Sequence, residues 1–284
     1  MADGRALGYQ SFGDPDGTPL FFFHGTPGSR LEFSSDDMII KPPGVRFILP
    51  ERPGYGISDP KPDRELLDWP SDVLELADHL GVDSFAVAGE SGGCPHALAC
   101  AYRCPSRVTM ALLLASPCPA DFPGATQGMA LGNRIGFVLN RYAPWLVRRL
   151  MRGTAARFKK DPERFIDDMA AQMSAPDKAL LKEESYRKAI IRGLHEAYRQ
   201  GSGGQITDVQ LIAAGGGWGF KLSEISVPVF MWYGDTDTLV SKNMAKRLAR
   251  EIPQCTYYDV PQAGHLLSDH PEVIKQFRSA LHGE

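Results

Sequence analysis

Five residues, Gly89-Glu90-Ser91-Gly92-Gly93, separate a short apolar segment from an amphipathic one. The apolar segment, Ser84 to Ala88, is typical of a buried strand, and Gly92 to Arg103 has the pattern of a helix. A strand that turns sharply into a helix at a serine strains that serine, and the positions two before and two after it must be small for strand and helix to approach. Gly89 and Gly93 meet this need. The segment predicts a reactive serine at the end of a strand, and a glycine-rich turn that merely packs is the alternative.

The rest of the chain alternates short apolar runs with helical patterns, which is typical of βαβ units and a parallel sheet. Further strands are predicted near Ala6 to Phe12, Pro19 to Phe23, Val45 to Leu49, Val108 to Ser116, Val227 to Tyr233 and Thr256 to Val260. Between residues 118 and 218 the alternation stops, and helical patterns rich in Arg and Lys take its place. We therefore predict an α/β core formed by residues 1–117 and 219–284, with a helical insertion at residues 118–218.

Composition narrows the class of partner. The chain has 31 basic and 34 acidic side chains and a formal charge of -3, so no strong field favours nucleic acid or an anionic membrane. No apolar run approaches the ~20 residues of a membrane span, and the polar N-terminus lacks a secretory signal. The five cysteines show no metal-site spacing, which favours reduced thiols. We expect a cytoplasmic protein with a small-molecule substrate, without nucleic acid, membrane, metal or organic cofactor; a homodimer is left open.

A serine needs a base to become nucleophilic, and histidine is the side chain whose pKa suits that role. His265 follows the last predicted strand, in a loop that would lie over the nucleophile. His96 lies one helical turn beyond Ser91 and is the best rival on proximity, but it would point along the helix flank. We predict that His265 is the base.

The histidine in turn needs an acid that orients its ring. Gly234-Asp235-Thr236-Asp237 follows a predicted strand, and we expect Asp235 to hold the turn while Asp237 reaches the histidine. Asp121, which follows another strand, is the alternative acid. The developing oxyanion needs two backbone donors. Gly92 and Thr26 are the candidates for these N–H groups, since Pro27 cannot donate.

These segments occur in the order Ser, Asp, His, each at the end of its own predicted strand, and in this they resemble the alpha/beta-hydrolase superfamily, in its branch with a helical cap. The segments that carry the resemblance are His24-Gly25-Thr26-Pro27-Gly28-Ser29-Arg30, Glu51-Arg52-Pro53-Gly54-Tyr55-Gly56-Ile57-Ser58, Gly89-Glu90-Ser91-Gly92-Gly93, Gly234-Asp235-Thr236-Asp237 and Ala263-Gly264-His265. The resemblance implies an eight-stranded, mostly parallel sheet with a cap over the active site. It also implies that His24 is structural and fixes its loop.

Two departures from related families narrow the chemistry. Thr26 stands where similar proline iminopeptidases carry a second glycine, and the turn at Ser91 lacks their usual tryptophan, which disfavours a peptidase. A serine at the nucleophile position, where other branches carry aspartate, excludes the epoxide-hydrolase and dehalogenase mechanisms.

The expected reaction is hydrolysis of a carboxylic ester through an acyl-enzyme. Hydrolysis of a lactone, or of a carbon–carbon bond next to a ketone, would use the same residues, and a non-catalytic, receptor-like use of the fold is the third reading. The cap would set the substrate, which we expect to be small or medium and apolar. The candidate substrate-binding residues are Met129, Trp145, Trp218 and Leu266.

Overall fold

A computed structural model describes residues 1–31, 44–129, 131–213 and 217–283. Within these ranges, only the backbone is described at residue 133. Seven strands form one sheet within these residues, in the order β1-β3-β2-β4-β5-β6-β7. The strands are β1 (Tyr9–Gly13), β2 (Thr18–Phe23), β3 (Val45–Pro50), β4 (Phe85–Glu90), β5 (Val108–Leu114), β6 (Val229–Gly234) and β7 (Cys255–Val260). β1 is antiparallel to β3, and every other neighbouring pair is parallel. The predicted fold class is confirmed.

The expected eighth strand is not among the described residues. Residues 1–8, which precede β1, bind the loop after β3 instead of a strand ladder. The backbone N–H of Glu51 donates to the carbonyl of Gly8, and that of Asp59 donates to the carbonyl of Ala6. The opening strand therefore begins at Tyr9, later than its predicted start at Ala6.

Eleven helices of α type lie within the described residues. They are α1 (Trp69–His79), α2 (Cys94–Arg103), α3 (Leu131–Tyr142), α4 (Pro144–Met151), α5 (Thr154–Lys160), α6 (Pro162–Ala170), α7 (Ala175–Leu180), α8 (Glu184–Ala197), α9 (Gly203–Ile212), α10 (Lys242–Glu251) and α11 (Pro271–His282). Helices α3 to α9 all fall between β5 and β6 in the chain, inside the predicted insertion. No helix in the described parts of the chain is both long and apolar enough to cross a bilayer.

The sheet buries both of its faces, because successive side chains of a strand point to opposite sides. In β2, Phe21 and Phe23 join the apolar cluster that includes α1, α2 and α10, whereas Leu20 and Phe22 join the cluster that includes α11. A third cluster, centred on Phe158, joins residues of α5, α6, α8 and their connections. The inserted helices thus have an apolar core of their own.

The parallel strands place their carboxyl ends at one edge of the sheet. The loops that follow β2, β3, β4, β6 and β7 at this edge carry Thr26, Arg52, Ser91, Asp237 and His265, respectively. This edge is where the chemically reactive side chains of the chain converge.

Candidate active site

Ser91 occupies the turn between β4 and α2, with a φ of 50°. A positive φ is uncommon for a residue with a side chain and marks local strain. A Cβ atom built on Gly89 would lie 2.5 Å from the carbonyl carbon of Gly93, and one built on Gly93 would overlap the carbonyl oxygen of Phe23. The two glycines therefore allow β4 and α2 to approach closely, as the sequence predicted, and Gly93 also allows the close approach of β2.

His265 and Asp237 form a buried pair beside Ser91. The Nδ1–H group of His265 donates to Asp237 Oδ2 over 2.8 Å, because a carboxylate can only accept. Burial by itself would lower the pKa of His265, but the charge and hydrogen bond of Asp237 raise it to about 9. Ser91 and His265, both described, form no direct hydrogen bond, but they line the same two cavities.

Asp237 also holds its own turn, which we had expected Asp235 to do. Asp237 Oδ1 accepts the backbone N–H of Leu239 over 2.7 Å and that of Val240 over 3.0 Å. Asp235 is exposed. Because these two N–H groups occupy Oδ1, the other oxygen of Asp237 is held towards His265. Asp121, the alternative acid, is exposed and lines a surface groove with Phe122 and Arg141.

Two other buried histidines of this region, His24 and His96, bond to backbone groups. His96 Nδ1 donates to the carbonyl of Gly92, and its Nε2 lies 3.7 Å from Asp208 Oδ1. Burial, with the positive charge of Arg52 nearby, lowers the pKa of His96 to about 3. His24 donates from Nδ1 to the carbonyl of Gly25, while its Nε2 accepts the backbone N–H of Arg52. Burial lowers the pKa of both rings, so both are neutral, and each donates to a backbone carbonyl.

Thr26 and Gly92, the predicted oxyanion donors, are in contact. A Cβ atom on Gly92 would overlap Thr26 Oγ1, so only glycine allows this approach. Gly92 lies in the short 3-10 helix Ser91–Gly93, at the start of a helical segment where backbone N–H groups lack intrahelical partners. The Thr26 hydroxyl donates to Asp208 Oδ2 over 3.2 Å, and this contact orients the loop.

Two cavities meet at Ser91 and His265. One, of about 150 Å³, lies between the loop at residues 25–28 and helices α6 and α8. The other, of about 320 Å³, lies beside α3 and α9. Leu266 lines the first cavity and Met129 the second. The further large apolar residues that line them are Met169, Met173, Ile190, Leu194, Phe137, Val209, Ile212, Leu239 and Val240.

Trp145 and Trp218, the other predicted substrate contacts, line neither cavity. Trp145 projects outward from α4, is 68% exposed and lies in a surface groove with Arg149. Trp218 packs in the core, where its Nε1–H group donates to the carbonyl of Ile212 over 3.0 Å. Only two of the four candidate residues therefore face Ser91.

Asp208, on α9, is a functional candidate that sequence reasoning missed. It is fully buried and accepts hydrogen bonds from Arg52 Nε at 2.8 Å, Arg64 Nη2 at 2.5 Å and Tyr55 OH at 2.9 Å. The charges of Arg52 and Arg64 hold its pKa well below the usual range, although burial opposes this. Arg52 also donates to the carbonyls of His24 and Gly25. An inserted helix thus anchors the loop that carries Thr26.

Asp177, on α7, is a second such residue. Its two carboxylate oxygens accept the backbone N–H groups of His265, over 3.0 Å, and Leu266, over 2.9 Å. The Ser174 hydroxyl donates to it over 2.6 Å. A Cβ atom on Gly264 would overlap the carboxylate, so the loop must carry glycine there. The spacing Ser174-x-x-Asp177 resembles a helix-capping signal, and it gave no sign of this distant contact.

The described residues contain no group of three His, Cys, Asp or Glu side chains arranged to hold a metal ion. The five cysteines, all of them described, are free thiols. A serine, a histidine paired with a carboxylate, and nearby backbone N–H groups are groups that can support nucleophilic attack, proton transfer and stabilisation of negative charge.

Residues 18–270 match the model of the alpha/beta hydrolase fold family. A non-heme chloroperoxidase from Streptomyces lividans is 27% identical over 281 residues, which cover 96% of this chain and 94% of the chloroperoxidase. A proline iminopeptidase from Arabidopsis thaliana is 31% identical over 112 residues, which span 38% of this chain and only 29% of the peptidase. Among solved structures, a thermophilic esterase from Thermogutta terrifontis superimposes with a TM-score of 0.68 at 21% identity, over 98% of this chain and 94% of the esterase.

Proposed function

Because the chain belongs to the alpha/beta hydrolase family, we propose that it is a serine hydrolase that cleaves carboxylic esters through an acyl-enzyme. One observation carries the proposal: His265, held by Asp237 over 2.8 Å, shares two cavities with a serine at φ 50°. A nucleophile, a base and an orienting acid are the minimum that this chemistry needs.

The proposed reaction begins with attack of Ser91 Oγ on the ester carbonyl while His265 Nε2 accepts the hydroxyl proton. Asp237 stabilises the charged imidazole through the proton on Nδ1. The backbone N–H groups of Thr26 and Gly92 stabilise the oxyanion. His265 then protonates the leaving alcohol, and a water molecule repeats the sequence to release the acid.

The two cavities support an ester with an apolar group on each side of the carbonyl. A cavity of about 150 Å³ is the size that holds one benzene molecule in an engineered apolar site. The second cavity has about twice that volume. One arm of the substrate should therefore be limited to about six carbon atoms, and the other can be larger.

The inserted helices at residues 118–218 serve, in this proposal, as a cap that sets specificity. Met169 and Met173 bound the smaller cavity, and Phe137 and Ile212 bound the larger one. All four side chains come from the insertion. In this proposal the core therefore provides the catalytic groups, and the insertion determines which substrates fit.

The test uses a fluorophosphonate probe together with p-nitrophenyl esters of increasing acyl length. Labelling and turnover should both disappear in Ser91→Ala. They should persist in Ser116→Ala, a matched control at a buried serine outside the machinery. Rates should fall steeply once both ester groups exceed about six carbon atoms.

Other outcomes would separate the alternatives. Labelling with turnover of a lactone or a β-diketone, but of no open-chain ester, would replace the ester proposal. Faster turnover of a prolyl anilide than of any ester would indicate a peptidase. Equal labelling of wild type and Ser91→Ala, or no labelling at all, would contradict catalysis by Ser91 and favour a binding function.

A further inference from the structure

Helices α3 and α4 carry an exposed apolar surface. The described residues include eight large hydrophobic side chains classed as exposed, and six of them lie between residues 131 and 150. Three of the six are about three-quarters or two-thirds exposed: Tyr142 at 74%, Leu131 at 72% and Trp145 at 68%. The other three are Ile135, Val138 and Leu150. Such a concentration on one stretch of chain marks a contact surface.

Helix α3 turns its apolar stripe outward. Leu131, Ile135, Val138 and Tyr142 recur at the spacing of a single helical face. The opposite face carries Gly132, Gly136 and Asn140; the two glycines line the larger cavity, and Asn140 is buried with its Nδ2 bonded to the carbonyl of Val209. In a surface helix that contacts only water and the rest of its own protein, the apolar stripe faces the protein core.

The stretch of chain that carries this stripe is also rich in positive charge. Residues 131–160 contain eight Arg and Lys residues and no Asp or Glu, in a chain whose net charge is -3. The eight side chains are exposed, and none of them forms an ion pair with another described residue. They are Arg134, Arg141, Arg148, Arg149, Arg152, Arg157, Lys159 and Lys160. We call the exposed side of residues 131–160 the α3–α5 face.

We propose that the α3–α5 face docks on the surface of a lipid bilayer that contains anionic phospholipid. Exposed Trp, Leu and Tyr side chains beside Arg and Lys are the combination that lies in a bilayer interface, with the apolar groups below the headgroups and the cations among them. The contact is peripheral, because α3 has only 12 residues. The inference stands apart from the proposed ester hydrolysis.

A second copy of the chain is a poorer occupant of this face. A two-fold contact would place the same patch on both sides, and the arginines of one protomer would face those of the other. Like charges brought together in this way oppose association. An anionic surface instead carries the charge opposite to that of these arginines.

Docking has a consequence for access to Ser91. Gly132 and Gly136, which are exposed and lie on the other side of α3 from the stripe, line the larger of the two cavities. A docked protein would therefore hold one wall of that cavity against the bilayer, where apolar esters partition.

Trp145 provides a direct readout. The other three tryptophans, Trp69, Trp218 and Trp232, are at most 4% exposed. Vesicles of phosphatidylcholine and phosphatidylglycerol in equal parts should shift the emission of the Ser91→Ala protein to the blue and protect it from acrylamide quenching. Pure phosphatidylcholine should produce little change, and added salt should reverse the effect. Trp145→Phe should lose the signal and still sediment with the anionic vesicles.

Charge variants test the electrostatic part. Arg149→Gln with Arg152→Gln should weaken binding to the anionic vesicles about 30-fold, at roughly a 5.5-fold loss for each basic residue removed from the membrane contact. Lys188→Gln with Lys221→Gln removes the same charge from exposed sites elsewhere and should bind normally. Both double variants should hydrolyse a water-soluble ester as the unmodified enzyme does.

Three results would overturn the inference. One is a failure of the unmodified protein to bind the anionic vesicles. Another is equal loss of binding in the two double variants. The third is a lipid-free, concentration-dependent blue shift with dimer formation that Tyr142→Ser abolishes, because a second copy would then cover the face.

Discussion

Replacement of Asp208 by asparagine should destabilise the fold more than any substitution at an exposed ion pair. Asp208 is fully buried between Arg52 and Arg64, which are themselves almost completely buried. Asparagine keeps the shape and removes the charge, so two guanidinium groups are left facing each other without a counter-ion. Loss of one member of a buried pair costs about 3–5 kcal/mol, because the remaining charge cannot regain its hydration. At roughly 2 °C per kcal/mol, Tm should fall by about 6–10 °C.

Urea and thermal unfolding followed by circular dichroism measure this change. Asp78→Asn is the matched control: it breaks the exposed Asp78–Arg107 pair and should cost at most about 1 kcal/mol. Adding Arg64→Met to Asp208→Asn should restore part of the stability, since one of the two uncompensated charges is then gone. Arg52 keeps its bonds to the carbonyls of His24 and Gly25 in that double variant.

Equal losses in Asp208→Asn and Asp78→Asn would refute this reasoning. So would a double variant that is less stable than the single one, because the damage would then come from packing and not from unpaired charge. The proposed esterase activity should fall with Asp208→Asn even below its Tm, since Asp208 accepts a hydrogen bond from Thr26, whose loop is the proposed oxyanion site.

Three further predictions concern the site. The kcat/KM of the enzyme should rise with pH through about 9, because His265 must be neutral to act as a base and its pKa is raised to about 9; a profile that is already flat from pH 6 would contradict this. Asp237→Asn should lower kcat by about 10⁴-fold, measured with a saturating ester, since the ring loses its correct tautomer; a loss under tenfold would exclude the orienting role. Asp177→Asn should move the rise in kcat/KM to lower pH and reduce kcat, because that carboxylate both raises the pKa of His265 and holds its backbone; an unshifted limb would remove the electrostatic part.

The features of the site that depend on adjacent residues were predictable. The strained turn at Ser91 requires glycine at positions 89 and 93, and the five-residue segment 89–93 contains both glycines. The strand ends that carry Asp237 and His265 follow from apolar runs and from the rule that parallel strands share a carboxyl edge. Local sequence patterns were enough to predict these segments, because the conformation of each depends mainly on its own residues.

The buried carboxylates of the insertion were beyond such reasoning. Asp208 meets Arg52 across 156 positions of the chain, and Asp177 meets His265 across 88. A single aspartate on a helix is expected to be exposed, because aspartate is almost never fully buried without a partner, and the sequence does not reveal these partners. The prediction that Asp235 holds the turn while Asp237 reaches the histidine was wrong for a related reason. One oxygen of Asp237 accepts a hydrogen bond from the turn and the other accepts one from His265, and no pattern of residue types reveals this.

Averages over the chain also concealed information. A net charge of -3 predicted no attraction to anionic surfaces, yet residues 131–160 carry eight cations and no anion. Four apolar side chains of α3 share one helical face, and that face is exposed. Spacing identifies which residues share a helical face, and only packing decides where that face points.

Asp177 and Asp208 limit which foreign helices could replace the insertion in a chimeric protein. Exchanging residues 118–218 for helices of a homologue that lacks these two carboxylates would deprive Arg52 and Arg64 of their counter-ion and leave the backbone N–H of His265 without its acceptor. A workable chimera must import carboxylates at both positions, or neutralise the arginines and redesign the loop around Gly264 in the same step. Grafts that ignore this pairing should yield insoluble protein rather than an altered substrate range.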